Sequence, residues 1–288
     1  MESKQLKWIY LLVLALIWGS SFILIKKGLV GLSAIQVGSL RIIFASFFLL
    51  IIGFKSLKLI PKLKWKYIAI TALFGTFFPA FLFAIAQTEL DSSVTSILNS
   101  LTPLNTLAIG VLFFGIGFQR KQLWGLLIGL LGSLLLVYNG AQNNPEQNYY
   151  YALLIILASF SYATNVNLIK RHLSDVSPVS ITTGNFVVLL IPAILILVFS
   201  GFPEQIHLEK TQKSVCFILI LGVLGTGIAN ILFFKLIQIA SPVFAASVTY
   251  LIPVIALFWG LLDNEILTLV QFFGAFVILI GVYLSARK

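Results

Sequence analysis

The Gly75-Thr76 pair returns 150 positions later as Gly225-Thr226, and the same shift carries Leu82-Phe83 onto Leu232-Phe233, Leu101 onto Leu251 and Pro103 onto Pro253. Leu and Phe coincide easily in an apolar chain; a Gly-Thr pair and a proline in one register do not. The echo continues with small changes of register. A shift of 144 places Leu24-Ile25-Lys26-Lys27 on Leu168-Ile169-Lys170-Arg171, Trp18 on Tyr162 and Ser33 on Ser177. A shift of 149 places Gln122, Gly125 and Gly132 on Gln271, Gly274 and Gly281. The chain is therefore one unit of about 144 residues written twice, and its fold must be assembled from two copies.

The medium follows from what fills each copy. Apolar residues make up 59% of the chain and charged residues 10%, outside the range of a soluble domain of this length. In lipid every backbone polar group must be satisfied within its own element, so only helices or closed barrels can span. Continuous apolar runs of about 20 residues without period-two alternation select helices. Ten spans are predicted, at about 7–27, 33–54, 65–87, 90–115, 120–138, 149–170, 178–200, 213–237, 240–262 and 267–286. The expected fold is all-α: a polytopic membrane protein of ten transmembrane helices in two five-helix repeats, 7–138 and 149–286. Five is odd, so the second repeat enters the bilayer from the side opposite to the first. Two such inverted halves can exchange roles, which suits alternating access.

The formal charge of +10 does not point to nucleic acid, because the Lys and Arg residues sit in short loops and at helix ends rather than on a folded basic surface. They report orientation instead. Lys4, Lys7, the lysines between Lys55 and Lys66, Arg120, Lys121, Lys170, Arg171, Lys235, Arg287 and Lys288 fall on one side, against Lys26, Lys27, Lys210 and Lys213 on the other. The positive-inside rule then places both termini in the cytoplasm of a cell (inner) membrane. The first apolar run follows Lys4 and Lys7 as a signal peptide would, but it is too long, lacks a small-x-small cleavage site and belongs to the repeat, so a retained helix is expected. Cys216 is the sole cysteine, which excludes an intrachain disulfide and a thiolate metal cluster. His172 and His207 both fall in loops and no Asp or Glu lies deep in a span. No enzyme constellation, metal site or cofactor is therefore expected, and a proton relay through a buried carboxylate has no candidate.

Polar residues inside the spans are the site candidates. Arg41 stands eight residues into a span, which at ~1.5 Å per residue is about 12 Å deep. A charge there costs several kcal/mol unless it faces a partner or a wet cavity. Its functional reading is an anion contact to a substrate carboxylate or phosphate; its structural reading is a cap on backbone carbonyls or a tie between helices. Ser92, Ser96, Asn99 and Thr102 share one helix face, which lines either a water-filled path or a hydrogen-bonded helix seam. Further polar candidates are Tyr162 with Asn165 in the sixth span, Asn185 as the 144-shift partner of Arg41, Asn230, Thr249 and Tyr250. Trp18 and Phe78 are candidate aromatic walls. Pro79, Pro103 and Pro253 interrupt their helices and are candidate hinges, or packing features without motion. Gly125, Gly129 and Gly132 form a small-residue face, read as a helix-packing seam with homodimerisation as the weaker alternative.

Trp18-Gly19-Ser20-Ser21-Phe22, Arg41, Leu101-Thr102-Pro103, Gly125 with Gly132, Leu251-Ile252-Pro253, and Glu265 nine residues before Gly274 together resemble the EamA family of the drug/metabolite transporter superfamily. The resemblance covers essentially the whole chain. Two positions depart from it: Ile116 stands where the first repeat's acidic residue belongs, and Tyr162-Ala163 replaces Trp-Gly. The resemblance implies a ten-helix secondary transporter, often an exporter of amino acids or other small metabolites. The expected partners are a small-molecule substrate and the lipid bilayer. The alternative is a transporter or flippase of lipophilic or lipid-linked cargo.

Overall fold

The computed structural model describes residues 3–117, 119–143, 148–263 and 269–286. Glu146, Glu265 and the C-terminal Arg287 and Lys288 lie outside the described residues. Among the described residues the secondary structure is helical, without strands. The long helices are α1 Ser3–Leu29, α2 Ala34–Leu59, α3 Lys62–Ala86, α4 Ser92–Phe114, α5 Arg120–Asn143, α6 Ala152–His172, α7 Pro178–Phe199, α8 Glu209–Ile239, α9 Pro242–Leu262 and α10 Leu269–Ala286. Among the described residues, eight helices, α1 to α4 and α6 to α9, are long and apolar enough to cross a membrane. The protein is thus an all-α, multi-pass membrane protein.

Local sequence sets the helix starts. Ser33 caps α2, its hydroxyl accepting from the Gln36 N–H at 3.3 Å while the Gln36 side chain accepts the Ser33 N–H at 3.0 Å. Its repeat partner Ser177 caps α7 by accepting from the Ser180 N–H at 3.1 Å. The echoed serines therefore do the same work in both halves: each satisfies an orphan donor of a first helical turn.

Cross-contacts give the threading. At the face where α1 begins, Trp8 packs edge-on against Phe244 at the start of α9, and Tyr67 near the start of α3 stacks on His172 at the end of α6. At the opposite face, Ser214 of α8 donates to Lys27 O at the end of α1, and Gln36 at the start of α2 donates to Ser200 O beyond α7. Helix α1 thus leaves the N-terminal face, whereas α6, its counterpart in the second copy, ends there. The halves run in opposite senses, as an odd number of helices per repeat demands.

The core is divided by depth. The largest buried cluster lies toward the N-terminal face, where Leu11, Leu14, Ile68, Ile169, Phe234 and Ile237 interdigitate. A second cluster around Phe22, Phe83, Leu90, Ile155 and Ile252 closes the other half. Polar ends pin each face. Lys170 donates to the carbonyls of Ile237, Gln238 and Ala240, which serves the otherwise orphaned C-terminus of α8. Lys64 bridges Asp175 at 2.8 Å and His172 O at 2.7 Å. On the opposite face Lys26, at 2.8 Å, and Lys27 both pair with Asp263, tying the end of α1 to the end of α9.

Helices α5 and α10 pair along a glycine seam. A Cβ built on Gly281 would come within 2.6 Å of Gly129 N and 2.7 Å of Gly125 O. Those atoms are backbone and cannot yield, so any side chain there separates the helices. The small-residue face expected to be a packing seam is therefore filled within the chain, with Tyr250 of α9 also seated over Gly129.

Two outcomes follow. Gly281→Ala should lower thermal stability in detergent by about 1–3 kcal/mol through overpacking, read as an earlier unfolding transition. The hydrogen bonds from Lys26 and Lys27 hold the Asp263 carboxyl below its ordinary range. A depressed carboxylate stabilises above its ordinary value and loses that contribution as pH falls through the lowered one. The destabilisation in Asp263→Asn, about 1 kcal/mol for an exposed cluster, should stay constant from about pH 8 to 5 and fade only below about pH 4, as measured by pH-dependent unfolding.

Candidate functional site

Both copies of the Gly-Thr pair fall in π-helical turns, Leu73–Phe77 within α3 and Leu221–Ile228 within α8. A π turn inserts one residue and leaves carbonyls off the usual ladder, and such turns recur at functional sites. Here glycine lets other helices approach. A Cβ on Gly75 would sit 2.5 Å from the Asn165 amide, and one on Gly225 would sit 2.8 Å from Ser21 Oγ. The Trp18 indole N–H donates to Gly225 O at 2.9 Å. The two turns thus face each other across α1 and α6 near mid-membrane.

Arg41 lies between them. Its Nε donates to Thr226 Oγ1 at 2.6 Å, and that hydroxyl in turn donates to Leu221 O at 3.1 Å. This fixes a guanidinium from the first half on the π turn of the second. Arg41 is 9% exposed, and that exposure faces a cavity. Among the described residues it has no carboxylate partner.

The cavity has two chambers sharing the walls Trp18, Arg41, Tyr162 and Phe233. The larger holds about 50 Å³ and adds Ser21, Phe22 and Ile25 of α1, Phe83 of α3, Asn99 and Thr102 of α4, and Ala246, Thr249 and Ile252 of α9. The smaller holds about 20 Å³ and adds Gly75, Thr76, Asn165, Thr226 and Asn230. At 10–15 Å³ per water these are spaces for a few waters and for about one. The protein is in a contracted conformation, and a metabolite needs the helices to part.

Polar atoms converge on this space. Asn99 accepts from Thr102 Oγ1 at 3.1 Å through its side-chain oxygen, which leaves its amide N–H groups for the cavity. Thr249 turns its hydroxyl back to Ala246 O at 2.9 Å and lines the wall with its methyl group and backbone. Thr76 Oγ1 and Asn165 Oδ1 are buried without a hydrogen-bond partner. Aromatic rings supply the remainder of the wall, Trp18 against Phe233 at 4.8 Å and Phe83 against Tyr162 at 5.9 Å between centroids. The arrangement is a single fixed cation in an apolar, aromatic-walled space with several neutral hydrogen-bonding groups, a composition suited to holding a small anionic or zwitterionic solute.

Of the residues singled out from the sequence, Arg41, Asn99, Tyr162, Asn165, Trp18, Asn230 and Thr249 meet at this cavity. Three do not. Tyr250 is fully buried in the core cluster of Ile97, Leu107 and Leu126, on the α5 side of α9. Asn185 is buried on α7 and shares a 3.1 Å hydrogen bond with Thr71, its amide oriented to donate also to Ile68 O and Ile181 O. Phe78 is 40% exposed among Phe74 and Phe77 on the outer side of α3. Thr226, Thr76, Phe233 and Ser21 line the cavity but were not picked out as site residues; the duplicated Gly-Thr pair was the signal that pointed to the threonines. Of the prolines, Pro79 stands two residues after the π turn Leu73–Phe77, Pro103 two residues after the 3-10 turn Asn99–Leu101, and Pro253 lies inside the α9 helix. A fourth, Pro192, lies inside α7.

A multi-pass helical protein with inverted halves around a central cavity has the build of a membrane transporter. The model of the EamA-like transporter family matches residues 6–138 and again 150–287, and the chain belongs to that family, within the drug/metabolite transporter superfamily. It is 26% identical to an uncharacterised transporter of Archaeoglobus fulgidus over 98% of this chain and 99% of that one. It is 24% identical to a probable amino-acid metabolite efflux pump of Salmonella typhimurium, covering 95% and 92%, and 27% identical to an uncharacterised inner membrane transporter of Escherichia coli K12, covering 95% and 88%. A solved crystal structure matches its fold with a TM-score of 0.72 at 15% identity, over 96% of this chain and 95% of that one. The protein is a transporter.

If Thr226 holds Arg41 in its working position, Thr226→Val, which keeps the shape and removes the acceptor, should reduce transport about tenfold or more. A hydrogen bond to a charged group is worth ~1.5–3 kcal/mol. Initial flux in proteoliposomes of matched protein content measures this.

Proposed function

We propose that the chain is a secondary transporter that exports an amino acid or a closely related small polar metabolite by alternating access. Its ten helices would cross the inner membrane with both termini in the cytoplasm. One observation carries the reading: Arg41 is a buried cation whose Nε is anchored to Thr226 while the rest of its fork is left to the cavity. A carboxylate of a substrate fits that fork bidentately, and an aromatic wall beside it suits an apolar side chain. The probable amino-acid metabolite efflux pumps among its relatives support the same class of cargo.

Alternating access is supported by the way the two halves meet. Arg41 and Thr226 come from opposite copies, so the cavity is shared by the two elements that would rock against each other. The contacts at the two faces are made by different residues. The N-terminal face is closed by a large apolar cluster, the opposite face in part by the ion cluster of Lys26, Lys27 and Asp263. Opening either face breaks one set while the other holds. No carboxylate lies deep in a span where it could serve proton coupling, so the gradient of the solute itself is the simplest driving force.

Counterflow in proteoliposomes tests this. Vesicles loaded with unlabelled amino acids, organic acids or sugars should take up the labelled form of one carboxylate-bearing solute. Arg41→Ala should weaken that uptake about 10- to 100-fold, the range expected for a charge-assisted contact. Arg41→Lys should recover only part of it, because an ammonium lacks the fork. Undiminished uptake in Arg41→Ala would remove the carboxylate contact. Exchange of no soluble compound, with movement of lipophilic cargo instead, would favour the flippase alternative.

A further inference from the structure

Arg41 poses a problem of charge balance when no substrate is present. It stands inside a span, 9% exposed, hydrogen-bonded to a neutral hydroxyl and unpaired with any carboxylate among the described residues. The sequence places no Asp or Glu deep in a span that could approach it. A guanidinium stays protonated in proteins, so it cannot shed its charge, and an uncompensated charge at this depth costs several kcal/mol.

The smaller chamber beside Arg41 offers the remedy. The Asn165 oxygen is buried without a partner, its amide nitrogen makes no hydrogen bond among the described residues, and the residue lines the chamber. Asn230 also lines the chamber without a side-chain hydrogen bond among the described residues, and the hydroxyl of Thr76 is buried with no partner. The free part of the Arg41 fork completes the set. The amide N–H groups of Asn165 and Asn230 and the free part of the Arg41 fork are donors not used within the protein, around a space of about 20 Å³, room for one water-sized or slightly larger species once side chains adjust. A metal cation would be repelled by Arg41, and a water satisfies hydrogen bonds without supplying charge. A small anion does both.

We infer that a monovalent inorganic anion, chloride being the abundant case, occupies the chamber between the two π turns in the substrate-free protein and leaves when a substrate carboxylate takes its place on Arg41. The displacement rests on the reading of Arg41 as the carboxylate contact; the resting anion does not. Such exchange keeps the guanidinium paired through the cycle. It also makes chloride a competitor of the transported solute, with the charge of the buried site nearly unchanged between loaded and empty forms.

The test is chloride-35 NMR line broadening of the purified full-length protein in detergent, with gluconate as the replacement anion. The wild type should show excess linewidth that saturates and that bromide competes away, and Arg41→Gln should lose it to the level of micelles alone. Asn165→Asp places a carboxylate beside Arg41 and should also abolish the excess. That variant should unfold at the same temperature with chloride or gluconate, whereas the wild type should unfold earlier in gluconate. Saturable broadening that survives in Asn165→Asp, or its absence from a wild type active in counterflow, would overturn the inference while leaving the transport reading intact. Arg41-dependent broadening that the transported solute fails to remove would support the anion site and contradict the carboxylate contact.

Discussion

The hydrogen bond from Arg41 to Thr226 is the constraint on which the rest of the structure depends. It joins the second helix of one copy to the eighth helix of the chain, and it holds a permanent charge at the centre of an apolar body. Much of the surrounding architecture follows from accommodating that charge. The π turns at Gly75-Thr76 and Gly225-Thr226 bring hydroxyls and carbonyls to the midplane, which a regular helix would keep to itself. Their glycines let Asn165 and Ser21 approach closely. Trp18 fills the gap beside the second turn while its indole N–H satisfies Gly225 O.

Gene duplication in a membrane explains why this centre is shared. Neither copy alone can bury a cavity, because the first supplies Arg41, Trp18 and Asn99 and the second supplies Tyr162, Thr226 and Phe233. Inverted threading places equivalent helices on opposite sides of the space, so each face is closed by different residues. One face combines a large apolar cluster with backbone caps from Lys170 and the Lys64–Asp175 pair, the other combines apolar clusters around Phe22 and Ile25 with the ion cluster of Lys26, Lys27 and Asp263. Two closures built from different residues around one site are what a carrier needs if they are to open in turn. The pair α5 and α10 stands apart from the cavity, joined along its glycine seam and packed on α4 and α9 through Leu126 and through Gly129 beneath Tyr250.

The fold class was legible in the sequence because a membrane leaves few options: apolar run length gives helices, and an internal echo with an odd number of spans gives inversion. The cavity lining was legible where a polar group stands deep in an apolar span, as for Arg41, Asn99 and Tyr162. It was not legible where the answer depends on which side of a helix faces inward. Thr249 and Tyr250 are neighbours about 100° apart on α9, so only one of them can reach the cavity. Asn185 occupies the position of Arg41 in the second copy, but a neutral amide there closes its hydrogen bonds locally with Thr71. Phe78 follows the π turn at Leu73–Phe77, whose inserted residue rotates everything after it, and no feature of the sequence announces such a turn.

The central claim is that one cavity between the two halves meets each side of the membrane in turn. Ser21 lines it, and Cys216 is the sole native cysteine, so Ser21→Cys in a Cys216→Ser background reports on the cavity alone. The measurement is modification of that thiol by a membrane-impermeant reagent, applied separately to each side of oriented vesicles, with and without the transported solute. Alternating access predicts reaction from both sides, at rates that a solute gradient shifts in opposite directions. Reaction from one side only, unchanged by any solute that the protein moves, would contradict it.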